Sequence, residues 1–278
     1  MIAWLTRSEK LPSLGLLLPA LVPLAGLFVL PLALLLPVSL SGPQGLSLAA
    51  YGKLLGDSYY LGIIWNSLKF AGLTTLFAFL IGYPAAFGLT YLRGGLRSAL
   101  LLTLFLPLSI GVIVKAFAWT VLLRSTGVVN KTLQALHIID EPIRLIFTET
   151  ALIVGAVNIF LPFMILSVYA VVAQIDRRLG EAAATLGAPP LSCFLRVTLP
   201  LSLPGIIAGT ALVFSLAVSA YVVPTLLMGE RYQTLPTLIA KSFLLTREPA
   251  FGAAAGAVLL AIALAVVLLS GKLGKPRA

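Results

Sequence analysis

Side chains able to make or break covalent bonds are scarce in this chain, and their spacing offers no reaction. A zinc site needs three or four ligands, yet the chain has one histidine, His137, and one cysteine, Cys193, so no metal is expected. Neither H-E-x-x-H nor G-x-x-x-x-G-K-[ST] occurs, which removes the metalloprotease helix and the phosphate cradle of an ATPase. An intramembrane hydrolase would need a nucleophile with its base, or paired acids, inside an apolar bundle. The acids are Glu9, Asp57, Asp140, Glu141, Glu149, Asp176, Glu181, Glu230 and Glu248, and all stand in loops or at the ends of apolar runs. No enzyme and no cofactor of its own is expected.

What remains is non-covalent chemistry. Polar groups set within apolar runs need partners or water, so they mark candidate solute contacts. These are Asn158, Ser215, Ser219, Tyr221 and Lys115, with Ser215 and Ser219 on one helical face at i and i+4. Each also has a structural reading: serine can bond its own helix backbone, tyrosine can anchor at an interface, and the long lysine stem can reach toward the outer surface. Phe117, Trp119 and Trp65 read as interface anchors or packing, and His137 as an exposed loop residue.

The elements that must position these groups are membrane helices. Hydrophobic residues make up 60% of the 278 residues and charged residues 10%, against roughly a quarter charged in soluble chains. A spanning helix needs about 20 apolar residues, and the pattern predicts six, at about 13–38, 61–91, 98–122, 150–173, 203–226 and 250–271. The charge-free run 11–52 is too long for a cleaved signal and reads as the first span. The net charge of +10 is scattered between apolar runs, with no basic stripe that would bind nucleic acid.

Lys and Arg collect in loops on the cytoplasmic side. One side gathers Arg7, Lys10, Arg93, Arg97, Arg177, Arg178, Arg196, Lys272, Lys275 and Arg277 against Glu9, Asp176 and Glu181, so both termini are expected in the cytoplasm. No internal repeat and no separate soluble domain is seen, giving one all-α membrane domain over 1–278. The Gly-xxx-Gly pair Gly205 and Gly209 allows close helix approach, either within the chain or to a second subunit.

The longest cytoplasmic connection covers 174–204 and reads QIDRRLGEAAATLGAPPLSCFLRVTLPLSLP. Helix formers around Glu181, Ala182, Ala183 and Ala184 end at Gly187, and Pro189 and Pro190 bar continuation. Composition alone leaves two roles open. The short helix either enters a groove on a partner protein or rests on the membrane surface as an amphipathic connector.

The spacing Glu181-Ala182-Ala183, Gly187, then Leu199-Pro200 resembles the EAA motif of the permeases of binding-protein-dependent ABC importers. Asn66-Ser67-Leu68, GYPAA at 82–86, FAWTVLL at 117–123, Gly127 with Asn130, and LPFMIL at 161–166 are similar in character to the spermidine and putrescine branch. The resemblance covers about 60–270 and implies a six-helix inner-membrane permease bundle. By that resemblance 174–204 carries the coupling helix of a separate ATPase dimer, which binds ATP and Mg. It also implies a second homologous permease in a heterodimer, an extracytoplasmic solute-binding protein, a lipid surround and a polyamine solute. The spans lack a carboxylate for a multication, and the fifth reads VSAYVVPTLL over 218–227. An opine, an amino-acid-like compound, an organophosphonate or a metal are the other solutes considered for this importer class. A membrane anchor or scaffold is the rival outside transport.

Overall fold

The computed structural model describes residues 10–42 and 45–273. In chain order these form α1 (Lys10–Ser39), a two-residue hairpin of β1 (Ser41–Gly42) and β2 (Gly45–Leu46), α2 (Ala49–Gly56), α3 (Ser58–Tyr91), α4 (Gly94–Ser109) and α5 (Val112–Leu122). Then come α6 (Val128–Ala135), α7 (Glu149–Val172), α8 (Arg177–Thr185), α9 (Pro190–Cys193) and α10 (Leu199–Val218). Finally come α11 (Val222–Met228), α12 (Leu235–Leu244) and α13 (Pro249–Leu273). Among the described residues five helical stretches are long and apolar enough to cross a bilayer, and a sixth exists if α4 and α5 together make one crossing.

Two predicted spans differ from expectation. The stretch 98–122 is broken, with α4 and α5 meeting at 97°. Pro107 has no amide hydrogen for the α4 ladder, and Ile110 and Gly111 adopt extended backbone between the helices. The stretch 203–226 is also interrupted, because α10 stops at Val218 and α11 restarts at Val222. Pro224 accounts for the gap: its ring would strike the carbonyl of Ala220 in a continuous helix, and it cannot donate to that oxygen.

The described residues divide into two compact units. In the first, drawn from Met1–Asp57 and Ile239–Val258, the membrane stretch Leu21–Ser39 of α1 is exposed along almost its whole length, and Ser39 at its end is buried. Ser39 Oγ lies 2.7 Å from Tyr51 Oη, tying the end of α1 to α2. Lys53 Nζ pairs with Glu248 at 3.1 Å and lies 4.6 Å from the centroid of the Phe251 ring. Gly252 leaves room for the Phe243 ring, which an added Cβ would meet at 2.8 Å.

The second unit, Ser58–Leu238 with Leu259–Ala278, holds the main core, built on α3, α7 and α10. Phe70, Ile159, Met164, Val168 and Val213 are almost wholly buried there. Their burial stabilises by dispersion and close packing, since lipid is as apolar as the core itself. Bare glycines set the close approaches. A Cβ on Gly82 would meet Met164 Cγ at 2.7 Å, and one on Gly209 would meet Met164 Sδ at 2.9 Å, so Met164 fills a slot between α3 and α10. A Cβ on Gly205 would meet Val171 Cβ at 2.9 Å. The Gly-xxx-Gly pair thus packs α10 on α7 within the chain. Tyr83 Oη and Ser202 Oγ, 3.1 Å apart and buried, add a polar pin between α3 and α10.

Candidate coupling site and solute pathway

The segment after α7 is a capped, protruding helix. Asp176 precedes α8, and its Oδ1 accepts the Arg178 amide at 2.9 Å, so a helix-starting donor is satisfied. At the other end Gly187 adopts φ +82. Its amide donates to the Ala184 carbonyl at 3.0 Å, and the Ala188 amide donates to the Ala183 carbonyl at 3.1 Å. This pair of bonds is a Schellman ending, which needs the left-handed residue that glycine supplies.

Glu181, Ala182 and Gly187 are exposed and Ala183 is half-buried. Leu186, at the tip, is 89% exposed and Leu191 is 67% exposed, so the protrusion presents apolar side chains. The sequence placed the helix and its glycine stop. It gave no sign that Leu186 stands clear of the core, because a leucine beside a helix end reads as packing.

After α8, Pro189 and Pro190 open a helix that continues through α9 and α10 to Val218. Phe194–Thr198 is wound as a π turn, with the Leu199 amide reaching back to the Phe194 carbonyl. Pro200 follows directly; it cannot donate into the ladder and its ring displaces the carbonyl four residues earlier, so the widened turn relieves the conflict. Leu199 is half-buried and Pro200 exposed. Cys193 lies inside this junction, its Sγ 3.7 Å from the Gly180 carbonyl oxygen, where it packs α8 against α9.

The candidate solute contacts do not all gather at one point. Trp119 Nε1 donates to Asn158 Oδ1 at 3.2 Å, joining α5 to the exposed side of α7. Next to that pair, Gly155 admits Leu227 of α11: an added Cβ would sit 2.5 Å from Leu227 Cδ1. Ser219 Oγ donates to the Ser215 carbonyl at 2.7 Å, bonding its own helix. Ser215 Oγ is buried without a hydrogen-bond partner among the described residues. Tyr221 is 44% exposed in the gap between α10 and α11, and Lys115 is half-buried on α5. His137 is exposed, in the connection between α6 and α7.

The opposite end of α3 and α7 is held by loop contacts. Ser67 Oγ accepts the Leu235 amide at 2.7 Å, Asn66 Nδ2 donates to the Gln233 carbonyl at 3.4 Å, and Tyr232 Oη donates to the Asn66 carbonyl at 3.1 Å. Burial pushes the Tyr232 phenol up to about 12, with the Glu149 carboxylate acting in the same direction. Asn130, fully buried, bonds the Arg124 and Ile143 carbonyls through Nδ2 and accepts the Ile143 amide through Oδ1. It thereby closes the connection between α5 and α7. Gly127 beside it could carry no side chain, since a Cβ would lie 2.3 Å from the Leu122 carbonyl oxygen.

Residues 10–277 match the family model of the binding-protein-dependent transport system inner membrane component. The chain belongs to that family. It is a permease subunit of an ABC importer, a multi-pass protein of the inner membrane. The spermidine/putrescine transport system permease protein PotB of Haemophilus influenzae is 37% identical over 222 residues, 79% of this permease and 78% of the relative. PotB of Escherichia coli is 36% identical over 219 residues, 79% of each chain. Among solved structures, a bacterial ABC transporter involved in the import of the acidic polysaccharide alginate matches with a TM-score of 0.79 at 21% identity. That match covers 95% of both chains. In this permease the family-like segments Asn66-Ser67, Gly82-Tyr83, Gly127 with Asn130, and Leu161 to Met164 are the points where helices and loops are locked together.

Proposed function

We propose that this permease carries a polyamine-like cation and is driven by a separate pair of ATPase subunits, one of which receives α8 from the cytoplasm. The observation that carries the reading is the protruding helix with its apolar tip: satisfied caps make it rigid before any partner arrives, which lowers the entropic cost of docking. Glu181, Ala182, Ala183 and Gly187 form the docking surface, while Leu199 and Pro200 open the span that receives the motion. Both termini share the cytoplasmic side with α8. The ATPase subunits bind ATP and Mg; this chain contributes no catalytic residue.

A second homologous permease completes the pathway as a heterodimer, and a solute-binding protein delivers its cargo at the end bearing Asn66 and Asn130. ATP binding shifts the pair between inward-open and outward-open states to the extent that nucleotide favours one of them. The polyamine assignment is supported by 37% identity to a relative named for spermidine and putrescine. The end of α10 is also compatible with a cation. With no carboxylate in the interior of the spans, the negative end of the α10 dipole at Val218 and the exposed Tyr221 offer partial negative charge and an aromatic face to a cation.

The test is ATP-dependent uptake into vesicles holding the whole complex, with polyamines, amino-acid-like solutes and oxyanions each offered on the cognate binding protein. Spermidine or putrescine uptake that stops when α8 is disrupted is expected. Uptake of an oxyanion alone would reject the polyamine while leaving the permease in place.

A further inference from the structure

Under α8 lies a cavity of about 680 Å³, walled by the ends of α3 and α7, the start of α4, and the α8–α9 junction. Its volume falls within the few hundred to about 1,000 Å³ usual for sites that enclose small molecules or headgroups. Charges of both signs line it. Arg97 enters from α4, and Asp176 and Glu181 from the base and middle of α8. The Arg97 guanidinium is held 5.4 Å from the centroid of the Tyr169 ring, and no carboxylate pairs with it among the described residues. One Asp176 oxygen takes the Arg178 amide. Phe87, Val172, Phe194 and Val197 give the wall an apolar side, and Thr90, Tyr91 and Thr198 also line it. Tyr91 and Val172 are the last residues of two apolar spans, so the cavity sits where hydrocarbon gives way to headgroups.

A multication answers the two carboxylates but is repelled by Arg97, and a simple anion has the reverse conflict. A zwitterion with phosphate at one end and a primary ammonium at the other satisfies both, and the apolar wall at the span ends accommodates hydrocarbon. We propose that this cavity binds the headgroup of an ethanolamine phospholipid, with phosphate on Arg97 and ammonium toward Asp176 and Glu181. Its acyl chains leave along Phe87 and Val172. Arginine suits the phosphate because its planar fork donates two hydrogen bonds. The bound lipid is a wedge between α8 and the bundle, so it sets how firmly α8 is seated. This consequence rests on the coupling role of α8, whereas the binding does not.

The experiment measures lipid retained by the intact complex in nanodiscs of phosphatidylethanolamine, phosphatidylcholine or phosphatidylglycerol, by native mass spectrometry after mild delipidation. Ethanolamine lipid is expected to be retained about tenfold over the glycerol lipid, the scale of one lost charge-assisted hydrogen bond. Choline lipid is expected to be retained less than ethanolamine lipid, because its methylated nitrogen has no hydrogen to donate. Arg97→Gln should reduce retention of the ethanolamine lipid, with Arg97→Lys, which keeps the charge, falling between. Asp176→Asn keeps the helix cap and should remove the preference over the glycerol lipid. Equal retention of all three lipids, or no change in Arg97→Gln complex that assembles normally, would overturn the site. Displacement by millimolar free phosphoethanolamine would assign it to a soluble zwitterion instead. Because retention is read without ATP or solute, failure here leaves the transport reading untouched, and failure of uptake leaves this one untouched.

Discussion

Replacing Gly187 isolates the conformational requirement of the α8 ending from every packing effect. At φ +82 an L side chain is strained, yet a Cβ built there meets nothing within 4 Å. The cost of Gly187→Ala is therefore backbone strain alone, about 1–2 kcal/mol for a left-handed L-residue. That strain opposes the bonds from the Gly187 and Ala188 amides that close the helix. A penalty of this size lowers the ratio of closed to open endings by about fivefold to thirtyfold. Asparagine tolerates the left-handed region better than alanine, and a β-branched residue tolerates it worse.

The assay is the ATPase rate of the reconstituted complex with and without loaded binding protein. Stimulation should fall in the order Gly187, Gly187→Asn, Gly187→Ala, Gly187→Val. Gly180→Ala is the control: its Cβ would lie 3.6 Å from Cys193 Sγ, an ordinary contact, and the position is helical. Stimulation there should be kept. Alanine at 187 performing as well as glycine, or asparagine no better than valine, would refute the claim that the left-handed ending matters.

Two further outcomes test orientation and packing. Cys193 is the only cysteine, so a Cys193→Ala background carrying Leu186→Cys should react with a membrane-impermeant maleimide in inside-out vesicles and stay unlabelled in intact cells, the reverse pattern placing α8 on the outside. Gly127→Ala forces a Cβ to within 2.3 Å of a backbone oxygen, whereas Gly72→Ala has nothing within 4 Å. The first should lower the melting temperature of the detergent-solubilised complex by several degrees, following about 1–3 kcal/mol of overpacking, and the second should leave it unchanged.

Helices that run unbroken through the bilayer were legible because length and apolarity are nearly sufficient there. The reading 150–173 met α7 at Glu149–Val172, and 250–271 met α13 at Pro249–Leu273. The short helix before Gly187 was legible from its helix formers and its prolines. Breaks inside apolar runs were not, since hydropathy is blind to direction and the stretch 98–122 stays apolar through a 97° bend. Pro107 with Gly111, and Pro224, were the available signals, but prolines also sit inside the continuous α3 and α7, as Pro84 and Pro162. The mixed-charge cavity was hidden for another reason. Arg97 and Asp176 are distant in sequence, and only the parallel ends of α3 and α7 bring them to one wall.

The π turn at Phe194–Thr198 sets the azimuth of everything that follows it. Each residue of an α-helix advances the side-chain direction by about 100°; the wide turn takes up one extra residue without passing that rotation on, but excising one residue from the α-helical stretch between it and Gly205 would spin the downstream rod by roughly that angle relative to its base. Gly205 would swing off Val171 and Gly209 off Met164, presenting their smooth stripe to lipid, and the base would still look intact. Such a one-residue deletion should uncouple a helix from its own neighbour more thoroughly than most substitutions along it.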